Sequence, residues 1–172
     1  MFIELIATVF AGFACAGIAM FLNIITGKRL PKWILPVAAG LGMLGMTISN
    51  EYTWFDRTAE TLPEGITIAM KVEEQSWGRP WTQLWPYTKR FVAVDTATAQ
   101  TNENLPDQRL ADLYFFGRWS PVNQAPMLFD CTGARSALLI DGATFAADGT
   151  VTDADWQQMP AGDPILKLVC ET

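Results

Sequence analysis

The chain has 172 residues, 12 basic and 18 acidic side chains, three cysteines and no histidine. Its length suits one ordinary domain. The missing histidine excludes Ser-His-Asp and Cys-His catalysis and removes the commonest transition-metal ligand. From residue 51 onward there are 17 acidic and 9 basic side chains; such acidity argues against nucleic acid and disfavours electrostatic adhesion to anionic lipid.

Residues 2–26, FIELIATVFAGFACAGIAMFLNIIT, are mostly apolar, and Glu4 at one edge is their only ionisable side chain besides the Cys15 thiol. About 20 such residues cross a bilayer core. A secretory signal needs basic residues ahead of the apolar run, whereas here Lys28 and Arg29 follow it, so a retained span is expected. Residues 33–49, WILPVAAGLGMLGMTIS, carry no charge and predict a second span reaching about residue 52. Tyr52, Trp54 and Phe55 would then form an interfacial aromatic belt. Lys28, Arg29 and Lys32 crowd the connection GKRLPK. By the positive-inside rule this connection is cytoplasmic and both termini are periplasmic, giving a two-pass protein of the bacterial inner membrane.

Small residues recur at helical spacing in both runs: Gly12 with Ala16, and Ala38 with Gly42. This spacing lets helices approach closely. Ala39, Gly40 and Gly45 place further small residues on other faces of the second run, which favours contact with helices of another membrane protein.

Residues 56–65 read as a linker closing on LPEG, and residues 66–172 as a small, mostly-β extracytoplasmic domain. ITIAMKV (66–72) alternates with the period of a half-buried strand. RFVAVDTATA (90–99) is strand-like, QTNENLPDQ (100–108) a polar loop, and RLADLYFFGRW (109–119) an aromatic strand. PMLFDC and SALLI are strands joined through TGAR; Asp141-Gly142 and Asp148-Gly149 are hairpin turns flanking a return strand, ATFAA. DADWQQM (153–159) is expected as a helical turn capped by Asp153, and DPILKLVCE (163–171) as a closing strand. Six or seven strands result. The expected fold class is membrane-anchored α+β: a two-helix transmembrane hairpin over residues 1–55, then the mostly-β domain.

Residues 76–87, SWGRPWTQLWPY, place Trp77, Trp81 and Trp85 four residues apart. Pro80 suits the first position of a short helix, which Pro86 would end, leaving Trp81 and Trp85 on one face. They either plug an end of the β core, lie in the headgroup layer, or with Arg79 anchor a protein partner. Because Trp119 and Trp156 are expected to supply the core, the last two readings explain the excess of tryptophan.

Cys131 and Cys170 are the cysteines outside the first span. An oxidising compartment predicts that they pair, linking two strands; two separate thiols would require a cytoplasmic domain. Residues 144–155, TFAADGTVTDAD, resemble half of a calcium loop but lack acidic residues at the first two ligand positions, so a turn is expected there. No catalytic, cofactor or metal residues are expected. The function expected is a non-catalytic accessory or assembly subunit of a larger inner-membrane protein complex (respiratory, photosynthetic or secretory), in contact with the lipid bilayer. The alternatives are a tethered binding or sensing domain for a small ligand or cell-wall polymer, and an envelope enzyme using carboxylates.

Overall fold

A computed structural model describes residues 2–102, 105–139, 146, 151, 154–160 and 162–171. The chain forms two compact units, Met1–Arg57 and Thr58–Thr172.

The first unit contains α1 (Phe2–Ile25) and most of α2 (Ile34–Glu60). The end of α1 is set by Gly27, whose φ of 70° is left-handed and suits glycine. The Gly27 N–H donates to the Ile24 carbonyl at 3.1 Å and the Lys28 N–H to the Asn23 carbonyl at 2.7 Å. These two bonds make a Schellman cap. Asn23 Oδ1 also accepts from the Leu30 N–H at 3.1 Å, so the connection is folded back on the helix end. Lys28 and Arg29 follow that end, where the helix dipole favours cations; both are exposed, as is Lys32.

The two helices lie side by side. A Cβ on Gly12 would stand 2.6 Å from Met43 Cε and 3.4 Å from the Ala39 carbonyl oxygen; one on Gly42 would stand 2.9 Å from the Ala11 carbonyl oxygen. Glu4 and Arg57 form an ion pair at 3.2 Å. Elsewhere α1 exposes Phe2, Phe10, Phe13, Phe21 and Ile25, more apolar surface than water tolerates on a lone helix.

Among the described residues, α1 is the one helix long and apolar enough to cross a membrane. The second span expected over residues 33–52 is thus not established. Its residues are helical, but the apolar stretch stops at Asn50 and Glu51, and both are buried. Two further expectations are corrected. Trp54 and Phe55 are buried, not arrayed as an aromatic belt, and residues 56–60 continue α2 instead of opening a linker.

The second unit is an antiparallel sheet. Its strands are β1 (Ile66–Glu74), β2 (Tyr87–Asp95), β3 (Gln100–Asn102), β4 (Leu105–Gly117), β5 (Ser120–Asp130), β6 (Arg135–Leu138) and β7 (Gln157–Gln158). Their order is β1-β2-β4-β5-β6-β7, with β3 on β4. A one-turn helix, α3 (Trp81–Leu84), lies between β1 and β2, and α4 (Pro164–Glu171) closes the described chain. Register shifts in β1 between Ile68 and Met70 and between Val72 and Glu73 break its even pairing with β2; such bulges bend a strand. The core joins Val92, Val94, Leu113 and Phe129 of the sheet to Ile165 and Val169 of α4. On the other face of β2, Phe91 stacks on Phe116 of β4 with centroids 4.6 Å apart.

The mostly-β expectation holds for the sheet and fails at three places. Residues 163–171 are a helix with a cap, not a strand. Asp163 Oδ1 accepts from the Ile165 N–H at 2.8 Å, and Pro164 takes the first helical position. Ile165, Leu166, Leu168 and Val169 then fall on one face, against the core. Residues 154–159 are not helical; Gln157–Gln158 is β7, held by Gln158 Nε2 donating to the Gly133 and Ala134 carbonyls at 3.0 and 2.9 Å. The polar stretch 100–108 is largely strand, because β3 pairs with β4 through Gln100–Leu110 and Thr101–Arg109. Residues 141–145 and 147–150, with their two expected hairpin turns, lie outside the described residues.

Cys131 and Cys170 form a disulfide, with Cα atoms 5.9 Å apart. It ties the turn after β5 to α4, not strand to strand. The same turn holds an ion pair: Asp130 Oδ1 accepts from the Gly133 N–H at 2.9 Å and Oδ2 from Arg135 Nε at 2.7 Å. The Arg135 guanidinium lies over the Trp156 ring at 4.6 Å. Burial alone would raise the Asp130 pKa, but the hydrogen bonds of Gly133, Arg135 and Thr132 and the Arg135 charge outweigh it and hold the carboxyl below its ordinary value.

Two predictions follow from these fasteners. The disulfide closes a loop with a sequence separation of 39, so C131A/C170A is expected to lose roughly 3–4 kcal/mol of outer-unit stability, read as a lower urea midpoint; an unchanged midpoint contradicts this. A depressed folded-state pKa stabilises above the unfolded pKa and is lost as pH falls through the folded one. D130N should therefore be less stable than the parent at pH 7, with the difference vanishing in strong acid; an equal gap at both pH values contradicts this.

Candidate functional site

The tryptophan-rich segment is the connection between β1 and β2, adjacent strands that close on the pair Glu74–Tyr87. Residues 75–86 form a built loop. Thr82 is fully buried; its Oγ1 accepts from the Ser76 N–H at 2.9 Å and donates to the Arg79 carbonyl at 2.8 Å. The N–H groups of Arg79, Thr82 and Trp85 donate to the carbonyls of Ser76, Arg79 and Trp81 at 3.1, 2.9 and 3.0 Å. Pro80 caps α3 with φ −59°, one position earlier than expected, and Trp85 at the other end has extended backbone, φ −129°.

That break at Trp85 separates the tryptophans. Trp81 and Trp85 do not share a helix face. Trp81 is half-buried, with its indole N–H enclosed and no acceptor among the described residues, whereas Trp85 is 64% exposed and Trp77 96%. Leu84 beside them is 73% exposed. The core-plug reading thus fails for Trp77 and Trp85 and holds in part for Trp81. Arg79 lies over the Tyr87 ring at 5.7 Å.

The sheet brings a second element to the same end. Arg90 of β2 pairs with Gly117 of β4, and the Arg118 N–H donates to the Lys89 carbonyl at 3.3 Å. The β4–β5 turn therefore sits beside the start of β2. Its Trp119, expected in the core, is 66% exposed with Arg118 over its ring at 5.0 Å, and Val122 follows, also exposed. Sequence reasoning missed this turn. The available signal was GRWS between two strand-like runs, which puts Arg118 and Trp119 at a hairpin tip.

The end is also cationic in an acidic unit. Residues 58–172 hold eight basic and 15 acidic side chains. Four of those eight, Arg79, Lys89, Arg90 and Arg118, belong to this end, against Glu73 and Glu74; Lys89 pairs with Glu74.

The other expected contact residues lie apart from this end in the chain. Gly12 and Gly42 are taken up by the packing of α1 on α2, and Ala16 and Ala38 are half-buried. By contrast, a Cβ on Gly17, Gly40 or Gly45 would meet nothing within 4 Å. Among the described residues there is no group of three or more His, Cys, Asp or Glu that could hold a metal ion. The half calcium loop lies largely outside the described residues.

The chain matches no known protein family, no curated protein and no solved structure. Among the described residues, Trp77, Leu84, Trp85 and Trp119 are exposed large apolar side chains brought to this end of the sheet.

The buried Thr82 hydroxyl ties the start of this loop to its helical turn. T82V keeps the shape and removes the hydroxyl, which orphans the Ser76 N–H at a cost of about 1–3 kcal/mol. The expected outcome is faster chymotryptic cleavage within residues 75–86 while the sheet keeps its circular dichroism. Cleavage at the parent rate would contradict the assigned role.

Proposed function

We propose that the chain is a non-catalytic, membrane-anchored accessory or assembly subunit of a larger inner-membrane protein complex. In this reading α1 and α2 both span, Lys28, Arg29 and Lys32 stay cytoplasmic, and the second unit lies on the periplasmic side with both termini. The observation that carries it is the aromatic end just described. Trp77, Leu84, Trp85 and Trp119 stand exposed on a loop and turn that hydrogen bonds hold in place. Large apolar side chains left exposed together at one end of a sheet favour a contact there. The open glycines of α2, Gly40 and Gly45, add a face where another helix can approach closely.

The reading is tested by extracting the full chain from its native membrane in the mildest detergent and measuring its size. Co-migration with a much larger assembly is expected, and G40L/G45L should release the protein from it while the outer unit stays folded. A lone monomer, or a variant that still co-migrates, contradicts the proposal.

A further inference from the structure

The aromatic end and its four cations point to one kind of neighbour, and we infer that this end docks on the anionic headgroup layer of the bilayer in which the chain is anchored. The inference rests on the reading of this end as a contact surface and names what it contacts.

The first ground is side-chain chemistry. Tryptophan is enriched at membrane–water interfaces, where its apolar ring and N–H suit the headgroup level. Trp77, Trp85 and Trp119 are the exposed tryptophans of the outer unit, and Leu84 is exposed with them. They come from two separate connections, residues 75–86 and the β4–β5 turn, that the β2–β4 register sets side by side. A planar neighbour is touched in this way by adjacent loop tips.

The second ground is charge complementarity. The unit as a whole is acidic, and its net charge predicts repulsion from anionic lipid. Yet its charges are segregated. This end has four basic and two acidic side chains, leaving four basic and 13 acidic for the rest of residues 58–172. Arg90 is exposed, and the half-buried Arg118 lies over the ring of the exposed Trp119. Each Lys or Arg near an anionic surface contributes on the order of 1 kcal/mol, within a Debye length. An acidic body turned away and a basic, aromatic end turned toward the headgroups satisfy both terms.

The test uses the full chain reconstituted into vesicles of phosphatidylcholine alone or with phosphatidylglycerol, with brominated acyl chains as a short-range quencher. The emission of Trp77, Trp85 and Trp119 is the difference between the parent and W77F/W85F/W119F. Loss of most of that difference emission with phosphatidylglycerol, smaller loss without it, and recovery in R90E are expected. Two results overturn the inference. If the three tryptophans escape lipid quenching in vesicles but are shielded from aqueous acrylamide in native membranes, the end faces a protein, and the contact reading survives without the bilayer. If acrylamide reaches them in vesicles and native membranes alike, the contact reading falls too.

Discussion

The register of β2 against β4 is the constraint on which the outer unit depends. β2 is buried on both faces: Val92 and Val94 join the core under α4, while Phe91 and Ala93 are enclosed on the other side. Phe91 faces Phe116 across the pair and stacks on it. A slip of one residue would exchange the two faces along the strand, taking Val92 and Val94 out of the core under α4 and Phe91 off Phe116. That register leaves Arg90 opposite Gly117, and so delivers Trp119 to the end where residues 75–86 emerge. The position of the exposed tryptophans is thus a consequence of packing in the middle of the sheet.

The two ends of the sheet are held by different physics. At the end where β1 begins, the Gly65 carbonyl accepts both the N–H and the hydroxyl of Thr96, each at 2.9 Å. The Cys131–Cys170 disulfide and the Asp130–Arg135 pair close the turn after β5 at that same end. The opposite end has no covalent fastener among the described residues. It is held by backbone pairing, the Thr82 hydroxyl, the Lys89–Glu74 ion pair and Arg79 over Tyr87, and it is there that large apolar side chains face outward. Burial of Trp77 and Trp85 against a neighbour would add the stabilisation that this end lacks in isolation.

Much of this architecture was legible from local signals. The apolar run of α1, the alternation in β1 and the TGAR turn between β5 and β6 are properties of short windows. Cysteine pairing followed from compartment and elimination. The capping signal for α4 was equally local, Asp163 then Pro164, but Ile165, Leu168 and Val169 were read by strand propensity instead of by their spacing. What could not be read locally depended on long-range pairing. The exposure of Trp119 follows from β2–β4 register, and the separation of Trp81 from Trp85 from extended backbone at Trp85. Net charge is silent on placement in the same way, since a sum over the domain conceals four cations gathered at one end. The extent of α2 beyond residue 52 was hidden because its polar last turns look like linker composition.

The central claim is that the tryptophan end is covered in the cell. Oxidative footprinting of Trp77, Trp85 and Trp119 in intact native membranes, compared with the same protein in detergent, measures this most directly. The account predicts strong protection of all three in membranes and oxidation in detergent, while Trp156, half-buried beneath Arg135, changes little. Equal oxidation of Trp77, Trp85 and Trp119 in both states would show that water covers this end and would contradict the account.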